Sequence, residues 1–199
     1  MPVDDRRIDL VRSLLEQRPA QLAEPLPGER EAAVALLLRP REQLEVLLIR
    51  RAVHERDPWS GHVALPGGRR DARDADLLET ALRETDEEIG VPLGRVGRFL
   101  GRLDTVAPRS PRLPPLVIAP YVLAVPADTE AVPDGREVDA AVWVPLSALR
   151  TEEAVSELLI ELRDGTQRFP SLVYGDYVIW GLTHRILVQF LELVDGTGL

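Results

Sequence analysis

Glu84, Glu87 and Glu88 stand at i, i+3 and i+4 in the run Arg83-Glu84-Thr85-Asp86-Glu87-Glu88-Ile89-Gly90-Val91. A helix through this run places all three carboxylates on one face, where like charges repel. A divalent cation relieves that repulsion. Hard carboxylate oxygens suit Mg²⁺ or Mn²⁺, ions that keep several waters and bridge substrate phosphates. A solvated acidic helix face would account for three glutamates alone. It does not account for Arg83, the terminating Gly90 and the preceding Gly67-Gly68 at their spacing.

The elements that must position these groups are legible in part. Apolar positions from Asp76 to Ile89 predict a strong helix, with Gly90 just past its end and Pro92 preventing continuation. His62 to Leu65 is a short extended run that ends at Pro66-Gly67-Gly68. Ala32–Leu38 and Leu44–Arg50 read as strands around a turn at Pro40, and Val96–Val106, Leu116–Val125 and Val138–Val144 read as further strands. Pro145 opens a short helical turn through Leu149. Thr151–Leu162 is ambiguous and helical at first, and Tyr177–Val194 is apolar on one helical face. Ile8, Val11, Leu14 and Leu15 make Asp4–Arg18 an amphipathic helix, followed by a linker containing Pro19, Pro25, Pro27 and Gly28. This gives a division into an N-terminal helix with a Pro-rich linker, residues 1–28, and one α/β (α+β) domain, residues 29–199, built on a central mixed sheet covered by helices.

Composition sets the outer bounds. A chain of 199 residues, 45% hydrophobic and 29% charged, supports one core and is not a disordered polymer. Its formal charge of −9 argues against a general nucleic-acid partner, because phosphate backbones would be repelled. The basic residues are all arginines, with no lysine. The absence of cysteine excludes disulfides, thiolate metal sites and a cysteine nucleophile. No signal-like segment follows Met1 and no run of 18 apolar residues exists, so a cytoplasmic location without a membrane partner is expected.

The stretch from Gly67-Gly68 to Val91 resembles the signature of the Nudix hydrolase superfamily: Gly, five residues, Glu, seven residues, then Arg-Glu-aliphatic-any-Glu-Glu-any-Gly-aliphatic. Arg83, Glu84, Glu87, Glu88, Gly90 and Val91 match in register. The first Glu of the signature falls on Ala75, with Asp74 beside it as the substitute and Gly68 one residue too far upstream, and Thr85 stands where an aliphatic residue is usual. The resemblance implies an α/β/α sandwich with an extra N-terminal helix. It also implies Glu84, Glu87, Glu88 and the carbonyl of Gly67 as metal ligands, and Arg83 as the group that orients Glu84. Glu137, six residues before Trp143, is the candidate for a later carboxylate. Glu84 and Glu137 are both candidates for the base that takes a proton from the attacking water.

The upstream run Leu47-Leu48-Ile49-Arg50-Arg51-Ala52, then Arg56, Gly61 and Leu65-Pro66-Gly67-Gly68, is similar to the motif of coenzyme A diphosphatases. Ile49 and Leu65 replace its Thr and Phe, and Gly61 is displaced by one residue. Tyr177-Val178-Ile179-Trp180-Gly181-Leu182-Thr183 also resembles that subgroup. Coenzyme A would be cut to 4′-phosphopantetheine and adenosine 3′,5′-bisphosphate, with Arg51, Arg56, Arg50 and Gly68 expected to contact substrate. Trp59 is open between stacking on a base and capping the core. The alternatives are another nucleoside diphosphate derivative, such as ADP-ribose, NADH or a dinucleotide, and a non-catalytic nucleotide sensor. A homodimer is a family-level expectation. His54, His62 and His184 are too scattered for a metal site.

Overall fold

In the computed structural model, residues 3–23, 28–53, 60–108, 115–162 and 165–199 are described. Helix α1 (Arg6–Gln17) leads into strands β1 (Arg30–Pro40), β2 (Leu44–Arg51), β3 (Val63–Ala64) and β4 (Gly67–Arg69). Helices α2 (Leu77–Ile89) and α3 (Leu93–Val96) follow, then β5 (Arg98–Arg102), β6 (Leu116–Ala124) and β7 (Val138–Pro145). Two short 3-10 turns lead to β8 (Val155–Leu162), β9 (Gly165–Tyr174), β10 (Tyr177–Trp180) and α4 (Gly181–Leu193). Among the described residues, no helix is long and apolar enough to cross a membrane.

Strand β1 organises the main sheet because it alternates apolar residues to both sides. Ala33, Ala35 and Leu37 join the core beneath α2, while Ala32, Leu36 and Leu38 join the opposite core. Burial on both faces is what a central strand requires. β1 pairs in parallel with β6 along its length; on its other side it pairs antiparallel with β2 at Leu38–Pro40 and with β4 at Ala32–Val34. β1 and β2 therefore diverge, and the Gly-Gly segment fills the gap. β7 flanks β2, and β5 flanks β6. The result is the expected mixed α/β architecture with a central mixed sheet.

Ile8 and Val11 of α1 are fully buried in the core opposite α2, together with Phe190 and Leu187 of α4. A second, three-stranded sheet has the order β10-β9-β8. It corrects two expectations. The single helix over Tyr177–Val194 is instead strand β10 followed by α4, because Trp180 is extended (φ −144°) and Gly181 takes φ +65°. The ambiguous Thr151–Leu162 resolves into a 3-10 turn and then β8, whose hairpin partner β9 had no separate sequence signal. The strand expected over Val96–Val106 is shorter: α3 takes Val96, β5 ends at Arg102, and Val106 makes one isolated bridge with Ile118.

Candidate active site

Helix α2 is fixed at both ends by its own residues. The Asp76 side chain accepts from the Glu79 N–H at 2.9 Å, and Glu79 reaches back to accept from the Ala75 N–H at 2.6 Å. This is close to a reciprocal capping box. Gly90 ends the helix at φ +65°, its N–H bound to the Asp86 carbonyl at 2.9 Å. Thr85 faces the core because its hydroxyl donates to the Ala81 carbonyl at 2.7 Å, leaving the methyl to pack. A polar residue is thereby accommodated where an aliphatic one is usual.

The two glycines bring strand β4 against the carboxylates. A Cβ on Gly67 would lie 2.2 Å from the Ala33 carbonyl oxygen, and one on Gly68 would lie 2.5 Å from the carboxyl carbon of Glu84. The Gly67 N–H donates to Oε2 of Glu88 at 2.9 Å. Glu88 is 3% exposed, and burial pushes its carboxyl up to about 8. The Gly67 N–H opposes that rise, Glu84 adds to it, Arg51 opposes it and Glu137 adds to it. Burial also raises Glu84, against the pull of Arg83.

Arg83 ties loop to helix. Its Nε and Nη2 donate to the two oxygens of Asp74 at 2.9 and 3.0 Å, and its Nη1 reaches Glu84 and Glu87, each at 2.9 Å. Asp74 is buried and also accepts from the Asp71 N–H and the Thr80 hydroxyl. The Arg83 guanidinium holds the Asp74 carboxyl well below the usual carboxylate range, with burial opposing. Among the described residues, no three acidic, histidine or cysteine side chains are grouped around one cation position; Arg83 occupies the ground between Glu84 and Glu87. The donor set nonetheless fits a hard divalent cation. Glu84 and Glu88 lie one helical turn apart beside the two glycines of β4, and the buried Glu88 carboxyl has the Gly67 N–H as its hydrogen-bond partner, oxygen donors of the kind such an ion takes.

The charges of Arg51 and Glu137 both bear on Glu88. The Arg51 N–H donates to the His62 carbonyl at 3.0 Å, and the Ala52 N–H donates to the Glu137 carbonyl at 2.8 Å. Asp134 presents Glu137: its carboxylate accepts the N–H groups of Arg136, Glu137 and Val138. Its own N–H binds the Glu88 carbonyl at 2.9 Å. Asp134 was not singled out in the sequence, although Asp134-Gly135 is a turn signal. Arg50 is not brought to the glutamates. It shares a sheet face with Leu48 and Val46, opposite α2, and pairs with Asp139 at 2.9 Å over the Tyr177 ring. His54, Arg56 and Trp59 lie outside the described residues.

A family model of the NUDIX domain matches residues 28–162. The chain belongs to the Nudix hydrolase family. It is 32% identical over 187 residues to a Nudix hydrolase, NudL, of Enterobacter sp. (strain 638), covering 94% of each chain. The NudL of Salmonella typhimurium is 32% identical over 170 residues, 85% of each. Among solved structures, a MutT/nudix family protein from Enterococcus faecalis aligns with a TM-score of 0.58 at 19% identity, over 98% of this chain and 75% of that one. A MutT NUDIX hydrolase from Burkholderia pseudomallei aligns with a TM-score of 0.52 at 20% identity, over 84% and 98%. These two share the Nudix fold with this chain. Nudix enzymes generally use divalent metal ions, which suits the carboxylates of α2.

Proposed function

We propose that this Nudix hydrolase is a Mg²⁺- or Mn²⁺-dependent diphosphatase acting in the cytoplasm, with coenzyme A or its acyl esters as the favoured substrate. One observation supports the reading above others. Glu88 is buried at the Gly67 N–H with Glu84, Arg51 and Glu137 around it, a pairing of cation ligands with a phosphate-binding guanidinium. Glu84, Glu87, Glu88 and the Gly67 carbonyl would hold the metal, which supplies charge neutralisation on the diphosphate and a more acidic bound water.

The chain's own residues do the rest. Arg51, joined by Arg56, takes non-bridging diphosphate oxygens through its planar fork. Gly68, without a side chain, lets the Glu84 carboxylate lie directly against β4. Arg83 holds Glu84 in orientation. Glu84 or Glu137 removes a proton from the water, whose oxygen bonds to phosphorus. The bridging P–O bond breaks, and its electron pair leaves with the departing phosphate. Coenzyme A is favoured because the upstream run that resembles the coenzyme A diphosphatase motif is the run that carries Arg51.

The test is a product assay with Mg²⁺ or Mn²⁺ on coenzyme A, acetyl-coenzyme A, ADP-ribose, NADH and diadenosine polyphosphates, with Glu88→Gln in parallel. Adenosine 3′,5′-bisphosphate released from coenzyme A, and lost in the variant, is the expected result. Turnover of the other compounds alone would transfer the assignment to another nucleoside diphosphate derivative. Tight binding without turnover would make the protein a sensor.

A further inference from the structure

Arg102 on β5 is half-buried, yet no hydrogen bond or carboxylate partner meets it among the described residues, and its Nε is sealed from solvent without a partner. Such a donor is costly to leave unmade. The guanidinium lies on an aromatic face: its Cζ is 5.0 Å from the centroid of the Tyr121 ring, and the two residues are register partners on β5 and β6. Phe99, on the same strand, has its ring centroid 6.3 Å from that of Tyr121 and is 48% exposed. Together they make a ledge of one exposed ring, one buried ring and one guanidinium.

The ledge adjoins the site loop. On β1, Ala35 pairs with Tyr121 while Val34 and Ala33 pair with Gly67 and Gly68. Tyr121 therefore lies one strand across from the Gly-Gly step, on the sheet face that α2 covers. With Nε sealed, the two Nη groups of a guanidinium stacked on an aromatic ring are the part it can offer to a bidentate anion contact, and phosphate is an anion that fork suits. An exposed ring beside it offers a face to a nucleobase.

We propose that Arg102, seated on Tyr121, is a specificity subsite for a phosphomonoester on the nucleotide arm of the substrate, separate from the diphosphate at the glutamates. The assignment rests on the coenzyme A reading, whose nucleotide arm carries a 3′-phosphate beside its base. Arg102 thus discriminates between substrates and takes no part in the chemical step.

The test is calorimetric binding, without metal, of adenosine 3′,5′-bisphosphate and adenosine 5′-monophosphate to the full-length protein. The wild type is expected to prefer the bisphosphate by about 10- to 100-fold, the range of a charge-assisted phosphate contact. Arg102→Ala should abolish that preference, and Arg102→Lys should retain only part of it, because lysine keeps the charge without the fork. Arg102→Gln serves if the alanine variant does not fold. Equal binding of the two nucleotides by the wild type, or an intact preference in Arg102→Ala or Arg102→Gln, would overturn the proposal. Failure of the wild type to cleave coenzyme A would instead strike the function proposed above, since the binding preference is read without turnover.

Discussion

Replacing Asp74 by Asn tests whether the Arg83–Asp74 pair holds the site loop on the helix. Asn keeps the shape but removes the charge, and in either orientation it turns an oxygen that accepts from Arg83 into a donor facing it. Breaking a fully buried ion pair costs about 3–5 kcal/mol. Here the Asp74 side chain is 3% exposed and the Arg83 side chain 22%. Solvent at the arginine reduces the cost, and about 2–3 kcal/mol is expected. For a domain of this size that corresponds to a fall in melting temperature of roughly 5–10 °C. The pH dependence supplies a second signature. The folded-state carboxyl is held below its unfolded value by Arg83, so its contribution is present at neutral pH and is lost as pH falls below about 4. Urea unfolding followed by tryptophan fluorescence from pH 7 to 3 should show the difference between wild type and variant shrinking as the solution is acidified. Activity at pH 7 should drop about 10- to 100-fold, because Arg83 loses the anchor that holds it against Glu84. A variant within about 0.5 kcal/mol of wild type at pH 7, or a difference that does not change with pH, would refute this account.

Gly68→Ala should fold but lose most activity, since its Cβ meets the Glu84 carboxylate, a movable group, at 2.5–2.6 Å; a normal circular-dichroism melt with reduced kcat is the expected pair of readings. Gly67→Ala should instead fail to fold, because it combines φ +142° with a backbone contact at 2.2 Å; soluble yield measures that. With metal chelated, the raised carboxyl of Glu88 makes stability decline as pH rises from about 4 towards 8, since the unfolded chain ionises first. Glu88→Gln should remove this decline in thermal melts, and added Mg²⁺ should restore wild type at pH 8 but not the variant. Arg50→Ala should leave kcat/KM within about threefold, since an exposed pair with Asp139 on the opposite sheet face contributes little.

The glutamate helix was legible because its caps, periodicity and terminating glycine all agree, and the glycine pair because its spacing to Arg83 is local. The principal partner of Arg83 was harder to see. Asp74 stands nine positions away across a loop, and only the folded turn shows that it takes two of the guanidinium's bonds while Glu84 and Glu87 share a third nitrogen. The arginines at 50 and 51 are adjacent in sequence, yet strand alternation sends them to opposite faces. The β8–β9 hairpin escaped because Val155–Leu162 fits both a helical and an alternating pattern, a conflict resolved by long-range pairing. Tyr177–Val194 is apolar on one helical face along its whole length, and a single left-handed glycine decides where strand gives way to helix.

The segment between β4 and α2 is fastened at three points: the Arg70 N–H on the Glu31 carbonyl, Asp74 on Arg83, and the Asp76 cap. Between the first two, Asp71 to Asp74 closes on itself as a small turn. The spacing between loop and glutamate helix is therefore held by a guanidinium fork and not by a count of residues along the chain. The additional residue before Arg83 is absorbed as slack, and a carboxylate one position earlier than the usual one serves as anchor. The loop behaves as a cassette whose tie to the helix is a single acidic side chain meeting Arg83.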